Sequence, residues 1–198
     1  MNRCKWCLIN DKMIEYHDKE WGLPLYNDQK QFEYLTLEVM QCGLNWNMMI
    51  KKRDIFNQCF ENFNYIKIAD YTEKDIAGIL DTPGMIKSSP KVKAVINNAK
   101  CFLKVIENYE SFCNYIWHFT EGKTIIYTNH KDNIPSKNKL SDTISKDMKN
   151  KGFKFIGSVT IYSHLQACGI INDHEENCFR YKEIITNYPC IFKTDTID

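Results

Sequence analysis

Thiol and imidazole side chains lie close to both ends of this chain. Near the start, "MNRCKWCLINDKMIEYHDKE" supplies Cys4, Cys7 and His17; near the finish, "INDHEENCFR" places His174 and Cys178 four positions apart. If donors from both groups share one ion, the fold must bring its last residues back to its first, which excludes open and extended architectures. A His and a Cys four apart near a helix end can face one ion, so His174 and Cys178 make one half of a candidate site. Two pairings serve for the other half: Cys4 with Cys7, the usual C-x-x-C bite, or Cys4 with His17. Spacing alone favours Cys4 with Cys7. Four protein donors would close a tetrahedral shell and leave no position for water, making the ion structural rather than catalytic. The competing account is that Cys and His residues scattered through a nine-cysteine chain are simply buried or incidental.

An odd cysteine count without an export signal points to free thiols rather than disulfides. The first residues lack the basic start and apolar run of a signal peptide, and no stretch of about 18 apolar residues occurs. The expectation is a cytoplasmic protein that does not enter a membrane. A balance of 43% hydrophobic and 26% charged residues is that of a globular domain, and 198 residues suffice for one compact unit or two tightly joined lobes. The net charge of +1 selects no partner. Local clusters carry more: "KKR" at 51–53, "KVK" at 91–93, and Lys149, Lys151 and Lys154 are either solvated faces or phosphate contacts.

Hydrophobic spacing predicts an all-α fold. "NDQKQFEYLTLEVMQCGL" opens on Asn27 and Asp28 as caps, places Phe32, Leu35 and Val39 on one side and stops near Gly43, which puts Glu38 in its last turn. "YTEKDIAGILD" carries a capping box of Thr72 and Asp75. "SSPKVKAVINNAKCFLKVIENY" has Ser89 as N-cap and Pro90 at the first helical position. "SFCNYIWHF" and "SDTISKDMKN" each begin with a serine cap, and "GSVTIYSHLQACG" ends at Gly169 as a C′ residue. "GKTIIYTNHKDNIPSKNK" reads as a long surface loop with one extended piece. Pro83-Gly84 makes a tight turn between two helices, a hairpin whose second helix can offer backbone N–H groups to a phosphate, with Lys87, Lys91 and Lys93 close behind; the alternative is an ordinary turn.

Familiar catalytic patterns are absent: no P-loop, no G-x-G-x-x-G, no G-x-S-x-G and no H-E-x-x-H. "HEE" at 174–176 superficially matches the zinc deaminase element, but the required P-C-x-x-C does not follow, since after Cys190 the chain reads "IFK". What remains is an aromatic group with one carboxylate, Tyr16, Trp21, Glu38 and Trp46, the last two joined through the Gly-Leu corner of "QCGLNW". Such a stripe is otherwise core packing.

"RCKW", "EYHDKEWGLPLYND", "LEVMQCGLNW", "KKR", "KGFKFIG", "LQACGIINDH" and the spaced Cys178 together resemble bacterial DNA-3-methyladenine glycosylase I, in matched order from residue 3 to about 178. The resemblance implies a helix-hairpin-helix DNA glycosylase fold in a single catalytic unit (1–198). Its hairpin lobe would span about 45–110, and a lobe of about 1–40 and 145–185 would be closed by structural zinc on Cys4, His17, His174 and Cys178. It implies a monomer that flips 3-methyladenine out of alkylated double-stranded DNA, hydrolyses the N-glycosidic bond and releases the base. Glu38 would be the catalytic residue and Tyr16, Trp21 and Trp46 would hold the base. Gly43 and Leu44 would probe the gap in the duplex, with Gly84, Lys87 and Lys91 against its backbone. Asn45 stands where the family usually has Ser. The catalytic Asp of most helix-hairpin-helix glycosylases, which this family lacks, has no counterpart here, and Glu107 is the acidic residue nearest that place. The alternative reading is a non-catalytic, zinc-stapled DNA-binding module.

Overall fold

Short polar side chains mark where many of the helices begin, each accepting a hydrogen bond from one of the N–H groups a helix start leaves unpaired. The computed structural model describes residues 1–130 and 133–195. Asn10 caps α1 (Asp11–Lys19), Asn27 caps α2 (Asp28–Gln41) and Asn45 caps α3 (Trp46–Lys51). There follow α4 (Arg53–Cys59), α5 (Tyr65–Ala69) capped by Asn64, and α6 (Glu73–Asp81) with the Thr72–Asp75 capping box. Then come α7 (Ser89–Tyr109), α8 (Phe112–Trp117) capped by Ser111, α9 (Lys139–Asn150), α10 (Ser158–Ala167) and α11 (Phe179–Asn187).

Two starts differ from the sequence reading. Ser88, not Ser89, stands at the N-cap position of α7, without a side-chain capping bond, which moves Pro90 to the second helical position; its missing N–H still costs nothing there, because first-turn N–H groups have no partner within the helix. Asn138, not Ser141, caps α9, and Ser141 closes the box by accepting from the Asn138 N–H at 2.9 Å. The larger correction concerns the all-α expectation. "TIIY" forms β1 (Thr124–Tyr127), which pairs in parallel with β2 (Cys190–Lys193), Thr124 opposite Cys190 and Tyr127 opposite Lys193. All four residues of β1 are buried, as suits a β-branched and aromatic run. The extended piece read within this loop is thus present as β1, buried rather than on the surface, and positions 131 and 132 of the loop lie outside the described residues.

Helix α2 is central. Every residue from Gln31 to Met40 is buried, the mark of a helix packed on all sides, and its neighbours include α3, α7, α8 and α10. One apolar core runs from Phe32 to Ile171, while a smaller cluster of Met13, Tyr16 and Ile50 carries Trp6, Trp21 and Trp46 at its edge. Arg53 fixes α4 to α2: it donates to Glu20 at 2.7 and 2.6 Å and to Glu33 at 2.6 Å, with Tyr34 also donating to Glu20 at 2.9 Å. The arginine of "KKR" is therefore an internal strut. Helices α6 and α7 pack together across the turn containing Gly84, whose carbonyl accepts from Lys52.

Candidate active site and metal cluster

The smaller aromatic cluster encloses a cavity of about 280 Å³. Tyr16 and Trp21 come from α1 and the turn after it, Trp46 opens α3, and Glu38 reaches in from the last turn of α2; all four line the space. Tyr16, Trp21 and Trp46, the base-binding residues expected from the sequence, are thus brought to one cavity. Tyr16 and Trp46 are tilted with ring centroids 5.5 Å apart, and Trp21 meets the edge of Trp6 at 4.9 Å. Trp6, Gln41, Gln166 and Asp173 also face the cavity and were not singled out from the sequence. Trp6, Gln166 and Asp173 each fall inside a stretch that carried the family resemblance, "RCKW" or "LQACGIINDH", and that is the only signal that marks them.

Two polar groups here have little company. The Tyr16 hydroxyl, on a residue 2% exposed, has no hydrogen-bond partner among the described residues. Glu38 is 4% exposed, and burial pushes its carboxyl up to about 8. A neutral acid among aromatic rings ionises when a cation arrives, because an opposite charge nearby restores the favour that burial removed. Ring faces attract the same cation. The cavity therefore suits a flat, positively charged ligand with hydrogen-bond donors at its edge.

At the cavity mouth, α2 ends in a loop that closes on itself. The Leu44 N–H donates to the Gln41 carbonyl at 2.6 Å and the Gln41 amide returns to the Leu44 carbonyl at 2.7 Å. Gly43 has φ +78, a left-handed conformation that only glycine adopts without strain, and Leu44 is left 37% exposed. Asn45 accepts from the Met48 N–H at 2.9 Å, so its side chain serves α3 rather than the cavity, a task Ser performs equally. Lys87 is exposed and has no partner among the described residues. Lys91 departs from the expectation: it is 9% exposed and donates to the carbonyls of Met40 at 2.8 Å and Cys42 at 2.6 Å. Its ammonium caps α2 and is spent inside the protein. Lys93 pairs with Glu73 at 2.9 Å, and Glu107 is exposed on the last turns of α7 and does not line the cavity.

Behind Trp21 the two ends of the chain meet. Cys4, His17, His174 and Cys178 are all buried, and their four donor atoms lie within 4.8 Å of one another, a group that can hold a metal ion. Cys4 Sγ is 3.4 Å from His174 Nδ1, and Cys178 Sγ is 3.5 Å from His17 Nε2 and 3.7 Å from His174 Nδ1. The outer ring nitrogens are anchored: His17 Nδ1 donates to Asp18 at 2.8 Å and His174 Nε2 to the Trp21 carbonyl at 3.2 Å. Those contacts fix both tautomers, turning the free nitrogens inward. Burial lowers His17 and takes His174 to about 3, so both imidazoles are neutral, as ligands must be. Gly22 permits this approach, since a Cβ there would sit 2.5 Å from His174 Nε2. Cys7, favoured by spacing, is no part of the group; its thiol donates to the Cys4 carbonyl at 3.1 Å because a 3-10 turn intervenes and turns it inward.

Fold and cavity together define a class: mostly helical proteins with a tryptophan-lined cavity beside one buried carboxyl. The chain belongs to the methyladenine glycosylase family, whose model matches residues 6–181. It is 37% identical over 182 residues to DNA-3-methyladenine glycosylase 1 of Escherichia coli strain K12, covering 91% of this chain and 97% of that protein. Among solved structures it is similar to a variant of 3-methyladenine DNA glycosylase I in complex with 3-methyladenine, with TM-score 0.86, 32% identity, and 90% and 97% of the two chains covered. The 3-methyladenine DNA glycosylase I of Staphylococcus aureus, whose structure concerns 3-methyladenine recognition, gives TM-score 0.84 at 33% identity over 90% and 96% of the two chains.

Proposed function

We propose that this chain is a monofunctional glycosylase that excises 3-methyladenine from alkylated double-stranded DNA and leaves an abasic site. The observation that carries the reading is Glu38, a carboxyl held at about 8 by burial, facing a cavity walled by Tyr16, Trp21 and Trp46. Methylation at N3 places a positive charge on the purine in DNA, so the base leaves readily and needs little protonation. The enzyme's main tasks are to extrude that base and to tell it from adenine. Trp46 stacks on the flipped base, Tyr16 and Trp21 border it, and Glu38 ionises against the cation and accepts hydrogen bonds from its edge. Leu44 fills the space the base vacates, presented by Gly43. Lys87 and the backbone around Gly84 hold the phosphates through a helix-hairpin-helix element, to which Lys91 contributes from inside by tying α7 to the end of α2. We divide the monomer into a hairpin lobe of about 45–110 and a lobe of about 1–40 and 145–185.

Zinc is the ion we assign to the Cys4, His17, His174 and Cys178 group. A tetrahedral zinc with sulfur at about 2.3 Å and nitrogen at about 2.0–2.1 Å sets S···N edges of about 3.5 Å, against separations of 3.4, 3.5 and 3.7 Å here. Two thiols and two neutral imidazoles complete its shell, so the ion holds the chain ends and supplies no catalytic water. Among the described residues no helix is long and apolar enough to cross a membrane, in keeping with work on DNA in the cytoplasm.

The test incubates methylated duplex DNA with wild type and Glu38→Gln and resolves the freed bases by chromatography. The expected result is release of 3-methyladenine by wild type and strong reduction in the variant. Folded, zinc-loaded wild type that retains DNA but frees no base would replace this reading with that of a DNA-binding module.

A further inference from the structure

Beyond the span matched by the family model, which ends at residue 181, the chain continues into β2 and Asp195. That tail reaches back to the cavity. Asp195 accepts from His130 Nε2 at 2.9 Å, and His130 Nδ1 donates to Asp173 Oδ1 at 2.9 Å. The other oxygen of Asp173 receives the Tyr162 hydroxyl at 2.5 Å and the Gln166 amide at 2.9 Å. Asp173, His130 and Asp195 are all buried, and the imidazole sits between two carboxylates as a doubly donating cation.

The direction of that chain of bonds matters at its end. Oδ2 of Asp173 is already taken as an acceptor by a hydroxyl, so only the NH2 end of the Gln166 amide can face it. The amide is thereby oriented by chemistry: Nε2 points to Asp173, and Oε1, which has no partner among the described residues, is left on a side chain that lines the cavity. A lone carbonyl oxygen in an aromatic cavity asks for an N–H donor.

We infer that Gln166 is a specificity-determining residue that accepts a hydrogen bond from the exocyclic amino group of the bound purine, and that Asp195, through His130 and Asp173, is a positioning residue that fixes its amide. This inference rests on the base-excision reading given above. Tail residues that the family model does not cover thus act on base choice without touching the base. Anchoring is double, since β2 also pairs along β1 and the Asp195 backbone N–H donates to Asn129 Oδ1 at 2.9 Å, one residue before His130.

The test measures affinity for free 3-methyladenine and for 3-methylpurine, which lacks the amino group, by quenching of tryptophan fluorescence in the zinc-loaded protein. Wild type should prefer 3-methyladenine. In Gln166→Leu the preference should shrink by about three- to tenfold, the worth of one hydrogen bond, with affinity for 3-methylpurine unchanged. Asp195→Ala should shrink it in the same direction, and Asp195→Asn, which keeps an acceptor for His130, should restore it. Equal weakening toward both bases in Gln166→Leu, or a preference untouched by it, would overturn the inference while excision by wild type stands. Wild type that binds neither base and frees none from methylated DNA would overturn the inference together with the excision reading.

Discussion

At the scale of single residues, the protein keeps one carboxyl, Glu38, buried in the wall of its cavity. Burial raises the Glu38 carboxyl to about 8 from its ordinary 4.5, so the folded protein keeps a proton that the unfolded chain releases between those values. The sign follows: stability from this group is whole below about pH 4.5 and is lost as pH rises through 8, by on the order of a few kcal/mol. Glu38→Gln is neutral at every pH. Its melting temperature relative to wild type should therefore climb by several degrees between pH 5 and pH 9, at roughly 2–4 °C per kcal/mol for a chain of this size. Thermal melts at the two pH values decide it, and a constant difference would mean that Glu38 titrates normally in the fold. Glu38 was legible in the sequence because one acid stood among aromatics near a helix end. Gln166 and Asp173 were not, since a Gln and an Asp some distance from the aromatic run look like any surface residues until His130 and Tyr162 are seen against them.

Among elements, what the sequence displays is local and what it hides is long-range. Asn27, the Thr72–Asp75 box and Ser111 announce their helices because a cap and its partner are three residues apart. The register of β1 with β2 depends on a partner far along the chain, which no local pattern reveals. Lysines divide in the same way. Lys87 and Lys91 look alike in "IKSSPKVK", yet one is exposed and the other caps the end of α2. If Lys87 meets a phosphate, Lys87→Ala should reduce the slope of log affinity for duplex DNA against log salt by about 0.9 and leave the melting temperature alone. Lys91→Met should do the reverse: it leaves the Met40 and Cys42 carbonyls unpaired, at about 1–3 kcal/mol, with the slope unchanged. Binding measured across a salt series beside thermal melts separates the two roles, and a lower slope in Lys91→Met would return that residue to the DNA surface.

For the molecule as a whole, the closing of the chain on itself is the feature most exposed to a single experiment. Asn2 accepts from the Phe179 N–H at 3.0 Å, Glu175 accepts from the Lys5 N–H at 2.7 Å, and Arg3 donates to Asp18, contacts that tie the first residues to α1 and to the start of α11. If zinc occupies the Cys4, His17, His174 and Cys178 group as proposed, it adds to this closure, because its binding energy is folding energy for whatever it joins. The same closure reaches the cavity: Trp6 follows Cys4 by two residues, and the Trp21 carbonyl holds His174. Withdrawing zinc with a strong chelator should lower the melting temperature and weaken binding of 3-methyladenine together, although no ligand of the ion lines the cavity. Cys178→Ser should reproduce both losses and bind substantially less than one zinc per chain, measured by a colorimetric indicator after denaturation. Cys7→Ser should retain one zinc and wild-type base affinity, since its thiol only donates to the Cys4 carbonyl. Zinc-free protein that melts and binds the base as wild type does would show that the apolar core alone holds the ends, and would remove the metal from the account of the site.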